Sequence, residues 1–120
     1  MRILVVEDHA ELAKLYSAWL MRNGHEVRTV YDGRDAVDQA ADFQPDAVIS
    51  DIGLPELNGY EVAMELRKQE QFKSTLLIAL TAYGNPLDVE TAKAAGLDHH
   101  LTKPCDFQEL KALLSSREPA

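Results

Sequence analysis

The chain has too little of several things to be several kinds of protein. It has one cysteine, Cys105, among 120 residues, so an internal disulfide framework is impossible and a reducing compartment is expected. Lysine and arginine number 12 against 20 acids, a net charge of -8, so the phosphates of nucleic acid would be repelled and are excluded as a direct ligand. No apolar run nears the roughly 20 residues of a membrane span. The opening stretch Met1–Asp8 ends in acids and lacks the small-residue cleavage site of a secretory leader. Linkers, low-complexity segments and internal repeats beyond one strand–helix unit are also missing. What remains is the expectation of one cytoplasmic domain over residues 1–120. Its composition, 46% hydrophobic and 27% charged, is enough for a real core. The acid excess suits a carboxylate site that needs a cation.

Apolar runs alternate with helical patterns five times. Ile3–Val6, Val27–Val30, Asp46–Ile49, Leu76–Leu80 and His99–Leu101 read as strands. The first, third and fourth have the continuous aliphatic character of strands buried on both faces. Leu12, Leu15, Tyr16, Trp19 and Leu20 form one face of a first helix, closed by Asn23-Gly24. Asp32-Gly33 turns the chain into a second helix with Ala36, Val37, Ala40 and Ala41 on a narrow face. Asn58 with Glu61 reads as a capping box for a third helix that fades into the polar stretch Lys68–Ser74. Asn85-Pro86 with Asp88 reads as N-cap, first-turn proline and first-turn acid of a fourth. Asp106 with Glu109 opens a fifth, and residues 117–120 read as frayed. Such alternation implies a parallel sheet with right-handed helical crossovers; periodicity leaves the strand order open.

The chemistry collects where strands stop. Glu7-Asp8 follow the first strand, Asp51 the third, Thr81 the fourth and Lys103 the fifth. In a parallel sheet these ends share one edge, where open α/β folds bind ligands. Each residue has a plain reading: Glu7 and Asp8 as helix caps, Asp51 as a turn former, Thr81 as an ordinary hydroxyl, Lys103 as a solvated surface cation. All of them falling at strand ends favours a shared task. Hard oxygen donors in an incomplete cage suit Mg²⁺ shared with a phosphate. A carboxylate can itself serve as a phosphoryl acceptor, because such transfer rests on positioning and charge neutralisation.

VVED at Val5–Asp8, DIGLPELNG at Asp51–Gly59, LTA at Leu80–Ala82 and LTKP at Leu101–Pro104 together resemble the receiver domain of two-component response regulators. The resemblance covers essentially the whole chain. It implies a flavodoxin-like (βα)₅ doubly wound sheet in the order 2-1-3-4-5. It implies that Asp51 takes a phosphoryl group from a phosphohistidine on a histidine kinase or histidine phosphotransfer protein. Mg²⁺ would be held by Asp8, Asp51 and the Gly53 carbonyl, with Glu7 acting through water. Lys103 would pair with phosphoryl oxygens, Thr81 would move toward them, Ala82 would offer a backbone contact, and Pro104 would follow a cis peptide. A downstream target would read the face of the fourth helix, fifth strand and fifth helix. Such a domain transfers the group onto itself and is not a turnover enzyme.

Two positions depart from the pattern. His100 stands where the family usually has a switch tyrosine or phenylalanine, as in receivers attached to sensor kinases, and it reads either as a switch or as a surface histidine. Gly53 offers no side chain to position a water while Tyr83 could shield the site, so slow self-dephosphorylation is expected. A flavin carrier would need a hydroxyl-rich phosphate loop after the first strand, where Glu7-Asp8 stand. An aspartyl-nucleophile phosphatase would want an acid at Gly53. A pseudo-receiver that only binds partners is the alternative; the intact acids, Thr81 and Lys103 speak against it. Stand-alone protein and piece of a hybrid kinase or larger regulator both remain open.

Overall fold

Aliphatic runs become parallel strands wherever both of their faces can be covered. The computed structural model describes residues 1–54, 57–82, 88–103 and 105–116. Among these, β1 (Arg2–Val6), β2 (Glu26–Val30), β3 (Ala47–Asp51), β4 (Leu76–Thr81) and β5 (His99–Thr102) form one parallel sheet in the order β2-β1-β3-β4-β5. They alternate with helices α1 (Ala10–Arg22), α2 (Gly33–Phe43), α3 (Gly59–Arg67), α4 (Val89–Ala95) and α5 (Phe107–Ser115). Register is set at the centre by pairs such as Val6 with Ser50 and Asp51 with Leu80.

Because strand side chains alternate, each central strand feeds two cores. Leu4, Val6, Val48 and Leu77 meet α2, α3 and α4 on one face through Ala40, Phe43, Leu66 and Ala95. Ile3, Val5, Ile49 and Ile78 meet α1 and α5 on the other through Tyr16, Leu20, Leu110 and Leu114. The Trp19 indole stacks on the Phe107 ring at 4.7 Å and ties α1 to α5. Strand β2, with its alternating polar residues, lies at an edge of the sheet.

Several details differ from the sequence reading. β3 runs on through Ser50 to Asp51, because both keep ladder partners on β4. Leu15 is 53% exposed, and α1 instead buries Ala13, Tyr16 and Leu20. In α2, Phe43 is buried and Ala41 is exposed, so the narrow small-residue face is wider than expected. The polar stretch after α3 contains a 3₁₀ turn, Glu70–Phe72, that buries Phe72. Asp88 is the N-cap of α4 and not a first-turn acid, its carboxylate accepting the Thr91 amide. The expectations for Asn85-Pro86, for Tyr83, for the Pro104 peptide and for residues 117–120 lie outside the described residues. The Asn58–Glu61 capping box is formed in both directions.

Candidate functional site

The ends of β1, β3 and β5 bring charges together because all three lie on the same edge of the parallel sheet, β1 beside β3 and β5 just beyond β4. Glu7 continues β1 by donating its amide to Val30 O at 3.0 Å. Its side chain turns inward and is fully buried. Asp51, the last residue of β3, is 7% exposed. Lys103 follows β5, its amide bonded to Thr81 O at 2.7 Å. Its ammonium lies 2.6 Å from Glu7 Oε1 and 3.1 Å from Asp51 Oδ2. Donor oxygens of Glu7, Asp8 and Asp51 all fall within 4.8 Å of one another, with Asp8 on the exposed side.

Two of the three carboxylates are held by a local bond. Glu7 Oε2 accepts the His9 amide at 3.1 Å, and Asp51 Oδ1 accepts the Gly53 amide at 3.0 Å. Glu7 Oε1 is buried with no well-angled hydrogen-bond partner among the described residues and leans on the Lys103 charge. Burial pushes the Glu7 carboxyl above the ordinary glutamate range, and the Lys103 ammonium offsets only part of this. Burial alone would lower Lys103; the Glu7 and Asp51 carboxylates outweigh it and hold its pKa above the usual value. The cleft is therefore short of positive charge. Three convergent carboxylate donors, with one ammonium shared between two of them, fit a hard divalent cation.

Two glycines allow close approach to the backbone at Asp51 and at Leu57. A Cβ on Gly59 would lie 2.7 Å from Asp51 O, and one on Gly33 would lie 2.0 Å from Leu57 O. Both residues have negative φ, so close approach rather than backbone conformation requires them. The sequence signal was present at Asn58-Gly59, where a glycine inside a well-capped helix start had no conformational reason to be there.

Not every expected residue joins the cluster. Thr81 is buried, but its hydroxyl donates to Leu101 O at 3.4 Å, toward β5. Ala82 and His100 are exposed. The cap of α1 is His9, whose Nδ1 accepts the Leu12 amide, and neither Glu7 nor Asp8. Sequence reasoning missed Tyr60 and Arg67, which join α3 to its neighbours; only their side-chain reach gives them away.

The sequence model described as the response regulator receiver domain matches residues 3–115. The chain belongs to the response regulator receiver domain family. This receiver is 36% identical to the response regulator ArlR of Staphylococcus aureus over 111 residues, 92% of the chain and 49% of ArlR. The receiver thus spans about half the length of the curated relatives it matches. It superimposes on the Vibrio cholerae chemotaxis protein CheY4 with a TM-score of 0.89 at 32% identity, covering 98% of each chain. It also superimposes on the receiver domain of the sensor histidine kinase PA1611 of Pseudomonas aeruginosa, with a TM-score of 0.86 at 36% identity, covering 96% and 94% of the two chains. That structure is described as having a magnesium ion coordinated in its active-site cleft. The family assignment and the sheet order agree with the resemblance drawn from the four motifs.

Proposed function

We propose that this receiver accepts a phosphoryl group on Asp51 from a phosphohistidine of a histidine kinase or histidine phosphotransfer protein. The observation that carries the reading is the Lys103 ammonium set between Glu7 and Asp51, at 2.6 and 3.1 Å, beside a third converging acid. An Asp51 oxygen forms the new bond to phosphorus, the phosphorus–nitrogen bond of the donor breaks, and its electron pair leaves on the imidazole. Lys103, already on Asp51 Oδ2, neutralises charge on the transferred group. Thr81 turns from Leu101 O toward the phosphoryl oxygens, and the Ala82 amide offers a further contact.

Asp8, Asp51 and the Gly53 carbonyl would hold Mg²⁺, with Glu7 acting through water. When bound, the ion supplies the positive charge that the cleft lacks and draws in phosphoryl oxygens. The chain modifies itself and turns over no substrate. The acyl phosphate then biases an equilibrium between two conformations, which a partner reads on the face of α4, β5 and α5. His100, exposed on β5, belongs to that face.

Incubation with acetyl phosphate and Mg²⁺ is expected to add one phosphoryl group to the native chain, seen by intact mass. Asp51→Asn is expected to add none. Labelling that survives in Asp51→Asn would place the acceptor elsewhere.

A further inference from the structure

Helix α3 grips α4 at both ends, with grips of unequal strength. At the start of α4, the Asp88 amide donates to the Tyr60 hydroxyl at 2.9 Å, a single exposed bond. At its end, the Arg67 guanidinium donates to Gly96 O at 3.0 Å, to Phe72 O at 2.7 Å and to Thr75 O at 2.9 Å. It also meets Asp98 Oδ2 at 2.9 Å, and the same oxygen accepts the Leu77 amide at 2.8 Å. Gly96 sits so tightly on this side chain that a Cβ would lie 2.6 Å from Arg67 Cγ. Among the described residues, one end is thus fixed by a half-buried, charge-assisted network and the other by one neutral bond to a phenol.

Between its ends α4 is easy to move. It has seven residues, and those it buries are Ala92 and Ala95, which bring little apolar area to the core. The latch is also close to Asp51. Tyr60 follows Gly59, where a Cβ would lie 2.7 Å from Asp51 O and whose amide donates to Ile52 O at 3.0 Å. A shift of the Asp51 backbone therefore presses directly on the turn that carries the Tyr60 ring, a chain of physical contacts with no gap.

We propose that α4 is a hinged lever, pivoting on Arg67 and latched by the Tyr60 hydroxyl, and that the latch opens when Asp51 is phosphorylated. The last clause rests on the function proposed above; the hinge itself does not. Tyr60→Phe keeps the half-buried ring packed against the core and removes only the hydroxyl, so the fold is expected to persist. Arg67→Lys keeps a charge and loses the multiple grip.

Amide hydrogen exchange, followed by NMR, reads both ends. Tyr60→Phe is expected to speed exchange of the Thr91 and Ala92 amides, which bond to Asp88, by about three- to tenfold. The Leu77 and Leu97 amides should be unchanged. Arg67→Lys is expected to speed Leu77 and Leu97 and spare Thr91. Unaltered Thr91 in Tyr60→Phe, or all four amides loosening together in either variant, would overturn the hinge. Native protein labelled with acetyl phosphate and Mg²⁺ should show the Tyr60→Phe pattern. A labelled chain, verified by mass, with unlabelled exchange rates would overturn the opening step alone. A native chain that takes no label would refute the acceptor reading and with it the opening step, while the unlabelled variants still decide the hinge.

Discussion

At the scale of single residues, environment sets what a side chain can do, and Cys105 shows it. Burial raises its thiol from the usual 9.0 to about 11, with Asp106 and Glu109 adding repulsion. The protonated thiol thus contributes stability that is fully present below 9.0 and is lost as pH rises through about 11. Alkylation near neutral pH is expected to run about a hundredfold slower than in the unfolded chain. Its pH–rate midpoint should lie near 11; a midpoint near that of a free thiol would contradict the burial. The acids and Lys103 could be read from the sequence because a charge at the end of a buried strand has few places to go. The direction of the Thr81 hydroxyl could not, since a buried donor takes whichever carbonyl lies in reach, here Leu101 O. Tyr60 was invisible for a similar reason: its ring follows the helix pattern, and its hydroxyl finds Asp88 only in three dimensions.

At the scale of elements, the start of α2 sets two rules against each other. Replacing a helical glycine with alanine ordinarily stabilises a helix by up to about 1 kcal/mol. In Gly33→Ala the new Cβ would meet Leu57 O at 2.0 Å. Backbone cannot yield as a flexible side chain can, so a net loss of about 1–3 kcal/mol is expected. Thermal denaturation checks the sign, and a raised Tm would show that the Leu57 segment gives way freely. Helix starts were legible where a cap and its partner both stand close in sequence, as at Asn58 and Glu61. The start of α4 was misjudged because Asp88 can act as cap or as first-turn acid, and periodicity cannot choose between adjacent positions. Phe72 escaped notice because one aromatic in a polar stretch has no period.

Taken as a whole, the molecule concentrates an excess of negative charge at one edge of its sheet. A chain of net charge -8 whose three acids converge around a single lysine should gain stability from a divalent cation. At Mg²⁺ one hundred times its dissociation constant the gain is about 2.7 kcal/mol. Tm is expected to rise with Mg²⁺ but not with NaCl of equal ionic strength, and Asp8→Ala should abolish the rise. An equal rise in both salts would mean general screening. The alternation of strand and helix made the parallel fold legible, because each unit repeats its signal five times. Strand order was legible only through the four motifs, since hydrophobic period carries no information about which strand lies beside which. One last consequence follows from the stack of Trp19 on Phe107. The chain has a single indole, which lines a hollow with Asn23, His25 and Lys111 and with none of the acids of the cleft. Intrinsic fluorescence will therefore report the docking of α1 on α5, and quenching titrations meant to follow events at Asp51 need a dye or a relocated tryptophan.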